Sequence, residues 1–265
     1  MRQLKADTVS ANLIATSNNQ YGPICVYQNT AYRWLTLAQN AQSDITIQGV
    51  MSLNKNEQLL IAVNQCMLLF LLKTAEPLRV LNLGLGTAGI ERAIHYLHNK
   101  TAYINNLAVF DSVEINPAMI SVAKHHFNLP ANHTVHLQNA ELFVATCTRT
   151  YNVITIDIFS GDVHQDFLSN SVFWQNIRRC SGLNAQIIIN LNPKTGKELQ
   201  ALLVLFRQHF SCIALIEFNE YKNIVVMLSQ QSLVHINKEE IAHSPLFKTW
   251  APSLHSDINS IYHIE

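Results

Sequence analysis

Residues 78–98, LRVLNLGLGTAGIERAIHYLH, carry the reading on which the fold turns. Leu78, Val80, Leu81 and Leu83 form an apolar run of strand length, too uniform for a strand with one face in water. Gly84, Gly86 and Gly89 follow at the spacing G-x-G-x-x-G, and Ile90, Ala93, Ile94 and Leu97 then recur with helical period. Strand, glycine turn and helix in that order are what a nucleotide-binding turn requires. The chain reverses tightly, a ligand approaches backbone with no Cβ in the way, and the helix start offers unpaired N–H groups at its positive dipole end. Alone, the three glycines are weak evidence, because any tight strand-to-helix turn can use them.

A second stretch strengthens the reading. Strand-like Val109-Phe110-Asp111-Ser112-Val113-Glu114-Ile115 carries an acid, Glu114, 25 residues after Gly89. A carboxylate there can accept both hydroxyls of a ribose, so a bound nucleoside is the working reading. The competing one is a helix cap on the turn before Pro117.

Composition bounds the rest. The chain has 265 residues, 48% hydrophobic and 14% charged, enough for a large core in one main domain with room for a small second one. Its 18 basic and 18 acidic residues cancel, which argues against nucleic acid or an anionic membrane as the main partner. The five cysteines are scattered, odd in number and without C-x-x-C, and read as reduced core thiols. No charged and apolar leader opens the chain, and the longest apolar stretch, 59–72, is interrupted by Asn64-Gln65 and too short to span a bilayer. A soluble cytoplasmic protein is expected. His95 with His98, His125-His126, and His133 with His136 lack Cys or acid partners at ligand spacing, so no metal site is expected. Ser160 lacks a G-x-S-x-G elbow, which argues against a hydrolase.

In chain order, 24–27, 32–37 and 45–47 are strand-like, with turn residues between them. They imply a small antiparallel β domain over 1–53 that must lean on the rest of the chain. Asn54-Lys55-Asn56-Glu57 has the form of a capping box. It predicts a linker helix within 54–77 in which Leu60, Val63, Met67 and Leu71 share a face. Within 78–231 strands and helices alternate: strands at 78–83, 109–115, 134–137, 151–157 and 185–191, helices at 89–98, 117–127, 166–180 and 197–209. Such alternation gives a parallel sheet covered on both faces. Strand-like 211–218 and 223–229 are separated by only Asn219 to Lys222, too short for a parallel crossover, so they are antiparallel neighbours. The expected fold is therefore α/β: a class I methyltransferase-like Rossmann sheet of seven strands, the last antiparallel, with the small N-terminal β domain and a tail over 232–265.

The chain resembles the spermidine synthase family from about residue 22 to residue 230. Tyr32-Arg33-Trp34-Leu35 and Gln42-Ser43 are similar to the family's small β domain, and 80–89 to its glycine loop. Val113-Glu114-Ile115-Asn116-Pro117 resembles its V-E-I-D stretch, Asn139-Ala140 stands where it has Asp-Ala beside the adenine, and 151–157 is similar to its Y-D-V-I-x-x-D strand. The resemblance implies a donor, S-adenosylmethionine or its decarboxylated form, held by Gln42, Gly84, Gly86, Thr87, Gly89, Glu114, Ile115, Asn139, Ala140 and Asp157. It also implies an amine acceptor and a homodimer. In that chemistry an uncharged amine attacks a carbon next to a positively charged sulfur, and carboxylates attract the amine and can take its proton.

The departures from the family fall on its acids. Thr87 stands where the glycine loop carries Asp, and Asp157-Ile158-Phe159-Ser160 ends in Ser160 where the family's D-x-x-D has its second acid. Asp162, two residues on, is the candidate replacement beside Asp157 for catalysis. Asp157 to Gly161, Ile189-Asn190-Leu191-Asn192 and Asn223-Ile224-Val225-Val226 look more like a branch that includes methyltransferases acting on protein amines; there Asp157 orients an amine and Asn190 bonds near the acceptor. Three readings stay open: aminopropyl transfer, methyl transfer to a protein or small amine, and an inactive relative with a binding role. For Asp157 the competing reading is a cap on the adjoining loop. Arg92 reads equally as a surface ion pair or a ligand contact.

Overall fold

The structure is a computed structural model and describes residues 2–18, 20, 22–37, 45–73, 77–160, 163–164 and 166–265. Gln42 and Asp162, both expected in the site, lie outside the described residues.

After a short helix α1 (Arg2–Ala6), strands β1 (Leu13–Ser17), β2 (Ile24–Gln28), β3 (Tyr32–Leu37) and β4 (Ile47–Ser52) form an antiparallel sheet in sequential order. β1 is an addition to the strands expected. Leu13 and Ile14 are exposed, so no apolar face marks it in sequence; pairing with β2 makes it a strand. Ile24, Val26, Leu35 and Met51 of this sheet close on Met119, Val122 and Phe127, giving the small unit a core it cannot build alone.

The expected helix over 54–61 is not formed. Ser52 Oγ accepts the N–H groups of Asn54 at 3.3 Å and Lys55 at 3.2 Å, the Asn56 carbonyl accepts from Arg92 Nε at 2.6 Å, and the Leu59 carbonyl from Gln65 Nε2 at 2.8 Å. Side chains thus occupy the Asn56 and Leu59 carbonyls that a helix would use for its own N–H groups, which overrides the capping pattern. Helix α2 spans only Ala62–Cys66, followed by a 3-10 turn at Leu69–Leu72. Val63 and Met67 are buried as the pattern implies, whereas Leu60 is exposed.

The main unit then runs β5 (Leu78–Leu83), α3 (Gly89–Lys100), β6 (Leu107–Glu114), α4 (Pro117–His126), β7 (Thr134–Leu137), α5 (Ala140–Thr146) and β8 (Tyr151–Ile156). A short ribbon of β9 (Phe159–Ser160) and β10 (Val163–His164) precedes α6 (Ser171–Cys180), β11 (Ser181–Leu191), α7 (Gly196–Arg207), β12 (Cys212–Phe218) and β13 (Ile224–Ser229). Across the sheet the order is β7-β6-β5-β8-β11-β13-β12, parallel up to β11, with β13 antiparallel to both its neighbours. These are the seven strands and the reversal expected.

An eighth strand, β14 (Ile258–Ile264), extends the sheet antiparallel to β12. It is reached through α8 (Lys238–His243), α9 (Pro245–Trp250) and α10 (Leu254–Asp257). The stretch read as a tail is therefore structural: Leu233, Ile236, Ile241, Leu246, Phe247, Leu254 and Ile258 share a core with Ile90, Ala93, Ile94 and Leu97 of α3. Spread over a turn and four short elements, these apolar residues show no sustained period. Among the described residues no helix is long and apolar enough to cross a membrane.

Candidate functional site

From β5 the chain passes to β6 on one side and later returns to β8 on the other, so the sheet order switches between β5 and β8. A crevice opens at the carboxyl ends of strands at such a point. Here it holds a cavity of about 520 Å³, closed on one side by Leu35, Leu37 and Gln48 of the N-terminal sheet. That size suits a nucleoside-sized ligand.

Eight of the residues expected in the site line this cavity: Gly84, Gly86, Thr87, Glu114, Ile115, Asn139, Ala140 and Asp157. Gly89 does not. It opens α3, and a Cβ there would come within 2.9 Å of Leu59 Cδ2, so its bareness serves packing against the 54–61 segment. Gly84 and Gly86 adopt φ of +98° and +51°, the left-handed region that glycine enters without strain. At Gly84 a Cβ would also lie 2.2 Å from the Asp157 carbonyl oxygen, so the turn presses directly on the end of β8.

Thr87 is buried, and its side chain lies over Gly49 of β4, where a Cβ would meet Thr87 Cγ2 at 2.4 Å. The N-terminal sheet thus seats on the glycine turn. Arg92 donates to the carbonyls of Thr87, of Asn56 at 2.6 Å and of Phe127 at 2.6 Å. Burial draws its guanidinium down to about 10, against the opposing pull of Glu91 and Glu57. Arg92 is therefore an internal brace and not the surface ion pair or ligand contact its sequence position suggested.

Glu114 ends β6. Its Oε1 accepts from the Asn116 N–H at 2.9 Å and its Oε2 from the Leu85 N–H at 3.2 Å. The helix cap is Asn116, whose Oδ1 accepts from the Ala118 N–H at 3.0 Å, so Glu114 is not the cap of α4. The N–H groups of Ile115 and Gly86 also act on this carboxylate. Burial holds the Glu114 carboxyl above its ordinary range, opposed by these backbone N–H groups.

Asp157 comes directly after β8. Its Oδ1 accepts from Asn190 Nδ2 at 2.9 Å, and Asn190 Oδ1 in turn accepts from Asn223 Nδ2 at 2.9 Å. The carboxyl is thus held by a side chain from the end of β11. Enclosure in the protein pushes its pKa up, partly offset by Asn190. Asn139 caps α5, accepting from the Leu142 N–H at 3.2 Å.

Sequence reasoning missed other parts of the wall. Gln48 is a polar residue between Ile47 and the Gly49-Val50-Met51 run of β4, a signal that was present. Gln138 comes directly after β7, at the ligand end of the sheet. Phe167 lines the cavity while its ring packs 4.9 Å from that of Phe173. Phe159 and Gln20 carry no pattern that would mark them. Among the described lining residues the titratable side chains are Glu114 and Asp157, both acids, which suits a cationic ligand. Among the described residues no group of three His, Cys, Asp or Glu is placed to hold a metal ion.

Fold and cavity define a class I methyltransferase-like α/β protein carrying an extra N-terminal β sheet. No family model matches the chain. A polyamine aminopropyltransferase of Chromobacterium violaceum is 29% identical over 150 residues, 55% of this chain and 54% of that protein, so the match spans about half the relative's length. A probable spermidine synthase from Corynebacterium glutamicum superposes with a TM-score of 0.70, at 14% identity, over 87% of this chain and 88% of its own. Human methyltransferase-like protein 13, solved in complex with SAH, gives a TM-score of 0.52 at 19% identity, over 68% of this chain and 84% of its own. At these identities the structural likeness establishes fold. The chain is thus similar to a polyamine aminopropyltransferase over about half of that relative's length, and shares its fold with spermidine synthases and a methyltransferase.

Proposed function

We propose that the protein is a transferase that binds a sulfonium nucleoside, S-adenosylmethionine or its decarboxylated form, and passes an alkyl group to an amine. The observation that carries this is the switch-point cavity, whose titratable lining groups among the described residues are the two strand-end acids Glu114 and Asp157. In this reading the adenosine lies along Gly84, Gly86, Asn139 and Ala140, and the Glu114 carboxylate accepts from the ribose hydroxyls. The sulfonium lies toward Asp157. The neutral amine nitrogen attacks the carbon bonded to sulfur; the C–N bond forms as the C–S bond breaks, and the electron pair leaves on a neutral thioether. The new ammonium then loses a proton to Asp157, for which a raised carboxyl pKa is an advantage.

The half-length relative and the likeness to spermidine synthases favour aminopropyl transfer. Methyl transfer to an amine is the second reading, favoured because Thr87, a neutral residue turned onto Gly49, stands where the resembled family has an acid to hold a polyamine. Calorimetry with the two donors separates them: tighter binding of the decarboxylated donor supports the first, and of intact S-adenosylmethionine the second. Glu114→Ala is expected to weaken methylthioadenosine binding by about tenfold to a hundredfold, as lost hydrogen bonds to a charged group imply. Unchanged binding would remove the ribose role. A parent protein that binds neither donor nor methylthioadenosine would leave only the inactive relative.

A further inference from the structure

Beneath the glycine turn lies a buried polar chain that the transfer chemistry leaves unused. Glu91, in the first turn of α3, is fully buried. Its Oε1 accepts from Asn82 Nδ2 at 2.6 Å and from Ser112 Oγ at 2.6 Å, while its Oε2 has no partner among the described residues. Burial raises its pKa against those two hydrogen bonds. A carboxyl kept in such a place needs a reason beyond packing, since an apolar side chain would bury more readily.

The reason lies in what Asn82 does next. Its Oδ1 accepts from Thr155 Oγ1 at 2.7 Å, and its Nδ2 also donates to the Gly84 carbonyl at 2.8 Å. Both amide hydrogens are therefore used, one on Glu91 and one on the glycine turn. An acceptor at Glu91 holds the amide in this orientation; the flipped amide would set its oxygen against two acceptors. Gly84 carbonyl and Leu85 N–H belong to one peptide plane, and that N–H donates to Glu114 Oε2 at 3.2 Å. The plane is gripped from below by Asn82 and from the cavity side by Glu114.

We infer that Glu91 is a positioning residue for nucleoside binding: through Asn82 and the 84–85 peptide it sets the orientation of the Glu114 carboxylate. This rests on the nucleoside reading proposed above. The test measures methylthioadenosine binding by calorimetry, with melting temperature alongside, for the full chain and its variants. Glu91→Gln keeps an acceptor oxygen toward Asn82 and Ser112 and is expected to bind within about threefold of the parent, whereas Glu91→Leu, which removes it, is expected to bind about tenfold more weakly. In a Glu114→Ala background the same Leu substitution is expected to add little, because its effect passes through Glu114.

Equal binding by Glu91→Leu and the parent would overturn the inference. So would losses that track melting temperature alone, with Glu91→Gln as weak as Glu91→Leu. If Glu91→Leu does not fold, Asn82→Ala decides: weakened binding supports the relay, and parental binding overturns it. A parent that binds no nucleoside would instead sink the functional reading, and the inference with it.

Discussion

Asp157 shows how far a single residue can be read and where its physics turns into a trade-off. An acid ending an apolar strand is visible in sequence, and the structure gives it a cavity-facing place and an Asn190 partner. A carboxyl whose folded pKa is raised costs the fold nothing well below its unfolded pKa, about 3.9; the cost grows as pH rises from there and is complete once pH has passed the folded value. Asp157→Asn removes that cost and keeps an oxygen for Asn190. The nucleoside-free variant is expected to melt about 2–4 °C higher at pH 7, a gain of about 1 kcal/mol, with the difference vanishing near pH 4 and transfer lost. Thermal scans at both pH values check it, and a lower melting point at pH 7 would show that the carboxylate is stabilised in place. Glu114 was legible for the same reason as Asp157. Glu91 and Asn82 were not: a helix-start acid and an amide in an apolar strand gain meaning only from each other and from Gly84.

At the scale of elements, patterns that coincide with backbone pairing were legible and those overridden by tertiary contacts were not. The reversed strand β13 could be inferred from a four-residue connection, a constraint of chain length. The capping box at Asn54 failed because Arg92 takes the Asn56 carbonyl from 36 residues away, a contact no local pattern reports. β14 escaped because its burial pattern lacks alternation, yet Ile258 at its start is fully buried. Ile258→Ala is expected to lower stability by about 2–5 kcal/mol, read as a smaller urea midpoint with unchanged slope. An effect within about 0.5 kcal/mol, the range of ordinary surface substitutions, would mean the strand is an ornament of the sheet edge. Gly49→Val tests the seat of β4 on Thr87: the added side chain meets the threonine, and nucleoside binding should weaken more than the melting temperature falls.

For the molecule as a whole, the question is whether the N-terminal sheet is a separable module. Sequence boundaries at 53 and 78 suggest one, and the composition of 1–53 supports a distinct β unit. Its packing argues the other way. Ile24, Val26, Leu35 and Met51 have their core against α4, and Leu35, Leu37 and Gln48 form a wall of the cavity. Removing 1–53 would expose Met119, Val122 and Phe127 together and open the site to water on that side. We propose that binding belongs to the two units jointly. A chain starting at residue 54 is expected to aggregate, or to fold and bind methylthioadenosine at least about tenfold more weakly than the full chain, because one wall of the cavity is gone. Circular dichroism and calorimetry on that fragment read both outcomes. Cooperative unfolding with parental affinity would show that the parallel sheet holds the nucleoside unaided and that the N-terminal sheet serves only the acceptor.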